Sequence, residues 1–118
     1  MAKKIKPILP TLREKKRYLA FEILSKSKIK DFSSVSSAIW ASSLSFLGEL
    51  GAAKAGIWVL ADKYNPEKQR GIIRVNHKHV DGLKASLALV RQIEGNDAIV
   101  RSITVSGILR KASKYIAG

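Results

Sequence analysis

The chain has 118 residues, 46% of them hydrophobic, which fits one domain with its own core and excludes a disordered segment. It contains no cysteine, which excludes disulfides and thiolate metal sites. Twenty-two Lys and Arg outnumber nine Asp and Glu, and the net charge of +13 favours a polyanionic partner. No apolar run approaches the roughly 20 residues of a membrane span, and the basic N-terminus lacks the apolar segment of a secretory signal. We expect a soluble cytoplasmic protein with no membrane partner.

The charge is unevenly distributed along the chain. Residues 1–30 hold ten basic and two acidic residues, whereas residues 31–53 hold no basic residue at all. Residues 98–118 hold four basic residues and no acidic one. A basic surface beside a neutral or apolar one predicts two kinds of partner, nucleic acid and protein.

The N-terminal part divides into an arm and the start of a domain. Two prolines within residues 1–14 predict an extended basic arm, and residues 15–118 are predicted to form a single domain. Residues 17–24, RYLAFEIL, alternate between apolar and mixed positions, which is typical of a strand with one buried face. The predicted buried side chains are Leu19, Phe21 and Ile23.

A helical period begins after this strand, at a residue that can cap a helix. Asp31 and Ser33 are both suitable caps, and Gly48, Gly51 and Gly56 mark where the helix frays and turns. The apolar positions near helical spacing are Phe32, Val35, Ile39, Phe46 and Leu50.

A hairpin and a second helix follow. Residues 56–64 and 70–76 are predicted strands, joined by a short turn over residues 65–69. Asn76 is a candidate cap for a helix that ends before Gly95. The apolar positions of that helix are Val80, Leu83, Leu87 and Val90.

The last elements complete a known topology. Residues 98–105 form a fourth predicted strand, and Ser106 is a candidate cap for a short basic C-terminal helix. The order β-α-β-β-α-β predicts an α+β fold, a ferredoxin-like (RRM-like) sandwich with an antiparallel sheet and two helices on one face. Strands one and three would be central, and the other sheet face would stay open for partners.

The residues that could support catalysis are few. His77 and His79 diverge at a helix start, and Asp81 adds one carboxylate, which is too little for a metal site. Glu22 and Asp62 lie on strands that are not neighbours, so ion pairs with arginines are expected instead. The sequence contains no Cys, no G-x-S-x-G elbow and no phosphate-binding glycine loop. We therefore expect no catalytic site, no metal site and no cofactor bound by the protein.

The stretch QRGIIRVNHKHV, residues 69–80, starts like the RNA-recognition-motif signature and then departs from it. Ile72, Arg74 and His77 replace its aromatic residues, so phosphate contacts by arginines are favoured over base stacking. The aromatic candidates for stacking are Tyr18, Trp58 and Tyr64. The predicted RNA-binding residues are Arg13, Lys15, Lys16, Arg17, Arg70, Arg74, Asn76, His77, Lys78, Arg101, Arg110 and Lys111.

Apolar residues suggest a second contact surface, for protein. The two tryptophans are either core residues or anchors of a protein partner, because Trp is favoured at interface hot spots. The predicted protein-interface residues are Trp40, Phe46, Trp58 and Ile72.

Four ordered stretches resemble one family: residues 9–23 (LPTLREKKRYLAFEI), 37–65, 69–90 and 100–112 (VRSITVSGILRKA). Together they resemble archaeal ribonuclease P protein component 2, a relative of the Pop-type subunit that eukaryotic ribonucleases P and MRP share. The match spans nearly the whole chain. Ile108 and His77 depart from the expected pattern, where a Thr and a basic residue are commoner.

This resemblance implies a non-catalytic subunit of the ribonucleoprotein that removes 5′ leaders from precursor tRNA. The RNA subunit would do the chemistry with Mg²⁺ bound to the RNA, and the protein would bind and activate its catalytic domain. The implied partners are the ribonuclease P RNA, ribonuclease P protein component 3, a second copy of the chain within a heterotetramer and, indirectly, precursor tRNA. Two alternatives stay open on the residues alone: a general structured-RNA-binding module, ribosome-associated or an RNA chaperone, and a small-molecule regulatory domain.

Overall fold

The computed structural model describes residues 15–117, so the predicted arm over residues 1–14 lies outside the described residues. In chain order the elements are β1 (Lys16–Ser25), α1 (Phe32–Ala55), β2 (Trp58–Val59), β3 (Arg70–Asn76), α2 (Val80–Ala88), β4 (Gln92–Ile93), β5 (Asn96–Ser106) and α3 (Leu109–Ser113). Short 3₁₀ turns follow β2 and β3. No helix within residues 15–117 is long and apolar enough to cross a membrane.

The sheet is antiparallel, with the strand order β2-β3-β1-β5-β4. Strand β1 pairs with β3 on one side and with β5 on the other. This arrangement confirms the ferredoxin-like α+β prediction, including the central positions of β1 and β3. The short strand β4 was not predicted. It pairs only with the start of β5, where Ile93 lies opposite Asn96.

The main core lies between the sheet and helices α1 and α2. Alternate residues of β1 enter it, and Leu19, Phe21 and Ile23 are almost completely buried, as the alternation predicts. Ile73 and Val75 of β3 join them. Burying each such side chain contributes about 1.5–3 kcal/mol. The helices contribute Val35, Ile39, Ala55, Leu83 and Leu87.

Helix α1 begins and ends where its sequence predicts. The side chain of Asp31 accepts a hydrogen bond from the Ser33 amide at 3.2 Å, which is a standard N-cap. Gly56 ends the helix in the left-handed conformation, with φ of 62°. Gly48 interrupts the helix with φ of 77° and ψ of 169°, a backbone conformation that only glycine adopts readily.

Strand β2 is shorter than predicted and the connection to β3 is longer. Only Trp58 and Val59 are in the strand, although the Leu60 amide still donates to the Ile72 carbonyl at 3.0 Å. The chain then makes a 3₁₀ turn that brings Tyr64 back to the core, where its hydroxyl donates to the Ile29 carbonyl at 2.7 Å. The chain leaves the sheet soon after Val59, and the turn that follows brings Tyr64 to its anchoring position.

Neither predicted cap in the C-terminal half occupies the cap position of its helix. Asn76 does not cap the second helix, because its side-chain oxygen, the group that a cap uses, accepts from Lys16 Nζ, while its amide donates to the Lys54 carbonyl at 2.7 Å. Helix α2 therefore starts later, at Val80, after the 3₁₀ turn. The cap position of α3 is Ile108, with no side-chain cap bond, and Ser106 lies two residues before it, where its hydroxyl accepts from the Ile108 amide at 3.0 Å.

The sheet face opposite α1 and α2 is partly covered, contrary to the prediction of an open face. Helix α3 packs on it through Ala112, and Ile116 follows just after the helix. These two residues cover Ile72 of β3, which has no accessible surface. The prediction was wrong because a short helix of five residues carries too weak a period to reveal where it docks.

Gly71 of β3 is required by its neighbour across the sheet. It lies directly opposite Phe21, and a Cβ atom at position 71 would stand 2.7 Å from the Phe21 ring. Tyr64 stacks on the same ring, with centroids 6.5 Å apart. The glycine therefore provides the space in which the largest buried side chain of β1 packs.

We expect Gly71→Ala to lower the free energy of unfolding by about 1–3 kcal/mol, the typical cost of overpacking a core. The added Cβ would meet the Phe21 ring at 2.7 Å and Tyr64 Cδ1 at 3.1 Å, so the packed rings would have to shift. Chemical denaturation monitored by circular dichroism measures the change. An unaltered midpoint would mean that the ring moves freely, which contradicts the packing described.

Candidate RNA and protein interfaces

The partly covered sheet face is organised in rows that run across the strands. At one end, Trp58 of β2, Arg74 of β3 and Tyr18 of β1 lie opposite one another, and we name them the Trp58 row. At the other end, Arg70 and Arg101 lie on either side of Glu22, and we name these three the Glu22 row. Helix α3 covers the row between them, which contains Ile72 and Ala20. It therefore divides the face into two separate polar patches.

In the Glu22 row one carboxylate binds two arginines. Arg101 donates to Glu22 Oε1 from Nε at 3.0 Å and from Nη2 at 2.7 Å. Arg70 donates to Oε2 from Nε and approaches it with Nη2, both at 3.1 Å. The hydrogen bonds from Arg101 and Arg70 hold the pKa of the Glu22 carboxyl below its usual value, although burial opposes them. This confirms the expected ion pairs of Glu22.

Arg70 also anchors the C-terminal segment to the sheet. Its Nη1 donates to the Tyr115 carbonyl at 3.1 Å, and the Asn65 side-chain amide donates to the Ile116 carbonyl at 2.9 Å. These bonds satisfy carbonyls just beyond α3. Arg70 thus has its donors directed at Glu22 and at backbone, whereas the Arg101 side chain stays 61% exposed.

Arg74, in the Trp58 row, is in a different environment. Its guanidinium carbon lies 5.6 Å from the centroid of the Trp58 ring, which is cation–π distance. Its Nε is enclosed without a hydrogen-bond partner among residues 15–117. Both ion pairs found in that range belong to Glu22, so Arg74 has no carboxylate to neutralise it.

Most of the other predicted RNA-binding residues meet at one end of the sheet. The start of β1 lies beside the end of β3, where the His77 amide donates to the Lys15 carbonyl at 2.8 Å. The Arg17 guanidinium lies against Gly107, just before α3. We name this surface the basic end; it consists of Lys15, Lys16, Arg17, His77, Lys78, Arg110 and Lys111. Arg13 lies outside the described residues.

Two of the predicted contact residues have no accessible surface. Asn76 is fully buried: it accepts a hydrogen bond from Lys16 Nζ and donates to the Lys54 carbonyl. Ile72 is fully buried beneath α3. Asn76 therefore joins β3 to the end of α1 rather than facing RNA, and Ile72 belongs to the second core cluster rather than to a protein interface. Both corrections come from long-range packing.

Exposed apolar side chains lie on helix α1 and on β2. Trp40, Phe46 and Trp58 are 42%, 51% and 60% exposed, so all three are available to a partner. Leu50, one of the apolar positions predicted near helical spacing, is 70% exposed. Phe46 and Leu50 lie on either side of Gly48, where the backbone of α1 leaves the helical conformation.

A second apolar pair lies on the sheet and was missed by the sequence reasoning. Leu24 and Ile99 are opposite each other on β1 and β5, and they are 45% and 62% exposed. Leu24 continues the outward alternation of Tyr18, Ala20 and Glu22, which was its signal in the sequence. Among residues 15–117, no three His, Asp or Glu side chains converge as metal ligands.

Known proteins match this chain in sequence and in fold. A model of the Rpp14/Pop5 family matches residues 17–117. Ribonuclease P protein component 2 of Thermococcus gammatolerans is 42% identical over 118 residues, covering 99% of this chain and 96% of its own. The Pyrococcus furiosus protein of the same name is 42% identical over 115 residues (97% and 92%), and that of Methanocaldococcus jannaschii is 37% identical over 118 residues (100% and 84%).

A solved structure agrees on the fold. A chain of the cryo-EM structure of yeast ribonuclease MRP superposes with a TM-score of 0.59 at 16% identity, covering 89% of this chain and 87% of that one. The class that the fold and these matches define is a ribonuclease P/MRP protein subunit. The chain belongs to the Rpp14/Pop5 family. The family resemblance inferred from the four sequence stretches is thereby confirmed.

We expect Glu22→Gln to lower the free energy of unfolding at pH 7 by about 1–2 kcal/mol, because two arginines lose their carboxylate. The folded-state pKa of Glu22 lies below its usual value of 4.5, so the contribution is present above that pH and is lost as the pH falls through the folded pKa. Urea denaturation at pH 7 and at successively lower pH values measures the difference from the wild type.

The control is Glu49→Gln, since Glu49 is exposed on α1 and makes no ion pair with a described residue. The Glu22 difference should shrink with falling pH while the Glu49 variant stays close to wild type throughout. A Glu22→Gln penalty that persists unchanged into acid would show that shape and not charge is responsible.

Proposed function

We propose that this chain is a non-catalytic subunit of ribonuclease P that binds the catalytic domain of the RNA subunit and activates it for removal of 5′ leaders from precursor tRNA. The observation that carries the proposal is the basic end, a cluster of Lys, Arg and His side chains in a chain of net charge +13 that belongs to the Rpp14/Pop5 family. A surface of this kind binds phosphates with little dependence on sequence.

The proposed mechanism is electrostatic. Folding of the RNA catalytic core brings phosphates together, and Lys and Arg side chains at the basic end would offset their repulsion. The RNA, not the protein, would bind the Mg²⁺ used in the chemistry. The protein would therefore lower the Mg²⁺ concentration at which the RNA is active, and it would contact precursor tRNA only through the assembly.

The proposed protein partners are ribonuclease P protein component 3 and a second copy of this chain, giving a heterotetramer in the cytoplasm. The exposed apolar side chains of α1, Phe46 and Leu50, are the surface that we assign to self-association. Large apolar groups that a fold leaves accessible are typical of contacts between subunits.

The activation prediction concerns the Mg²⁺ requirement. Cleavage of precursor tRNA by the RNA subunit is measured against Mg²⁺ concentration, with and without this chain and component 3. We expect the half-maximal Mg²⁺ concentration to fall several-fold when the proteins are present. The triple variant Lys15→Glu, Arg17→Glu, Lys78→Glu should lose most of this effect while keeping its circular dichroism spectrum. A curve that the wild-type proteins do not shift contradicts the proposal.

The assembly prediction concerns Phe46→Ser combined with Leu50→Ser. In the presence of component 3 we expect the wild type to form a tetramer of two pairs and the double variant to form a single pair, because the apolar contact is lost. Light scattering after size exclusion measures the mass. The matched control is Leu24→Ser with Ile99→Ser, which removes two exposed apolar groups from the sheet. A tetramer that survives in the α1 variant would place self-association elsewhere.

A further inference from the structure

The Trp58 row has the properties of a ligand site, although phosphate binding at the basic end does not require one there. We propose that Trp58 and Arg74 form a binding site for one unpaired nucleotide of RNA, with the base stacked on the exposed indole face and a phosphate or base acceptor on the guanidinium. This inference rests on the proposed RNA-binding function and adds to it a specific pocket for single-stranded RNA.

The geometry of Trp58 and Arg74 leaves room for a planar ligand. Trp58 and Arg74 are cross-strand neighbours on β2 and β3, so their side chains rise from the same sheet face. The guanidinium carbon lies 5.6 Å from the ring centroid, while 60% of Trp58 stays accessible. Arginine thus braces one side of the indole, and a flat surface remains for a second planar group.

The charge of Arg74 is unsatisfied by the described residues. Within residues 15–117 this guanidinium has neither a hydrogen bond nor an ion pair, and its Nε is enclosed without an acceptor. By contrast, Arg70 and Arg101 both bind Glu22 on the same face. A partly buried cation without an acceptor is costly, so the missing acceptor is expected from a partner.

The position of the Trp58 row favours RNA over an acidic protein as the partner. The Trp58 row lies at the same end of the sheet as the basic end, because Arg74 and Tyr18 are close to the positions where β3 ends and β1 begins. Lys15 and Arg17 at the start of β1 and Lys78 just after β3 lie at that end. A flat aromatic face beside a cationic surface matches an unpaired base with its phosphates.

The boundary of the site is formed by helix α3. Tyr18 and Leu60 pack against the cluster that α3 covers, so one side of the Trp58 row is bordered by packed side chains. On the other side β2 is the outermost strand of the sheet. A nucleotide would enter from that edge, where a continuous duplex could not place a base flat on the indole. The site should therefore select unpaired RNA.

The chain offers a direct optical test, because it has only two tryptophans. In the variant Trp40→Phe all tryptophan fluorescence comes from Trp58. The probes are a single-stranded oligoadenylate and a fully paired RNA duplex of the same length. We expect the oligoadenylate to quench the emission on binding, since stacking brings the base into contact with the indole, and the duplex to bind without quenching.

Two substitutions separate stacking from charge. Trp58→Ala should weaken oligoadenylate binding about 10-fold and leave duplex binding unchanged, because only the unpaired base uses the ring. Arg74→Lys keeps the charge but loses the planar guanidinium, and it should also weaken oligoadenylate binding. Trp40→Phe alone is the control and should bind both RNAs like wild type.

Three outcomes overturn the site. If both RNAs bind with equal affinity and neither quenches Trp58, the nucleotide site is wrong while RNA binding by the basic end stands. If quenching occurs only on addition of component 3 without RNA, the surface is a protein contact. If neither these probes nor the ribonuclease P RNA binds, the proposed function fails as well.

Discussion

Strand β1 organises the sheet, because it is hydrogen-bonded to β3 on one side and to β5 on the other. Both of its faces make contacts that stabilise the fold. Leu19, Phe21 and Ile23 enter the main core on the helix side. On the opposite side Glu22 binds arginines of both neighbouring strands. The same antiparallel pairing brings the beginning of β1 and the ends of β3 and β5 to one end of the sheet. The concentration of cations there is thus a consequence of topology.

The scarcity of carboxylates determines which cations are available to RNA. On the sheet face that α3 divides, Glu22 binds both Arg70 and Arg101, and Arg70 also donates to the Tyr115 carbonyl. Arg74 has only the indole of Trp58 beside it. Two arginines four positions apart on one strand therefore have different roles: Arg70 anchors the C-terminal segment, and Arg74 stays available for a partner. Composition alone, with its net charge of +13, does not distinguish them.

The sequence predicted those features that depend on local periodicity and missed those that depend on distant contacts. The alternation in residues 17–24 predicted which side chains of β1 point inward, and Asp31 predicted where α1 starts. The burial of Ile72 was missed because α3, far along the chain, covers it. Asn76 has a capping residue's chemistry, yet Lys16 from the neighbouring strand donates to the side-chain oxygen that a cap would use. The exposure of Leu50, unlike that of Phe46, was not predicted, because helical spacing does not show where the core beneath a helix ends.

The central claim is that an unpaired cation binds RNA and a paired one does not. The most direct measurement is the dependence of RNA affinity on salt concentration for Arg74→Ala and Arg70→Ala, each compared with wild type. Every phosphate contact contributes about 0.7–0.9 to the slope of log affinity against log salt. The account predicts that Arg74→Ala loses about one such contact and that Arg70→Ala keeps the wild-type slope, although it is less stable. Equal losses in both variants, or a loss in Arg70→Ala alone, would contradict it.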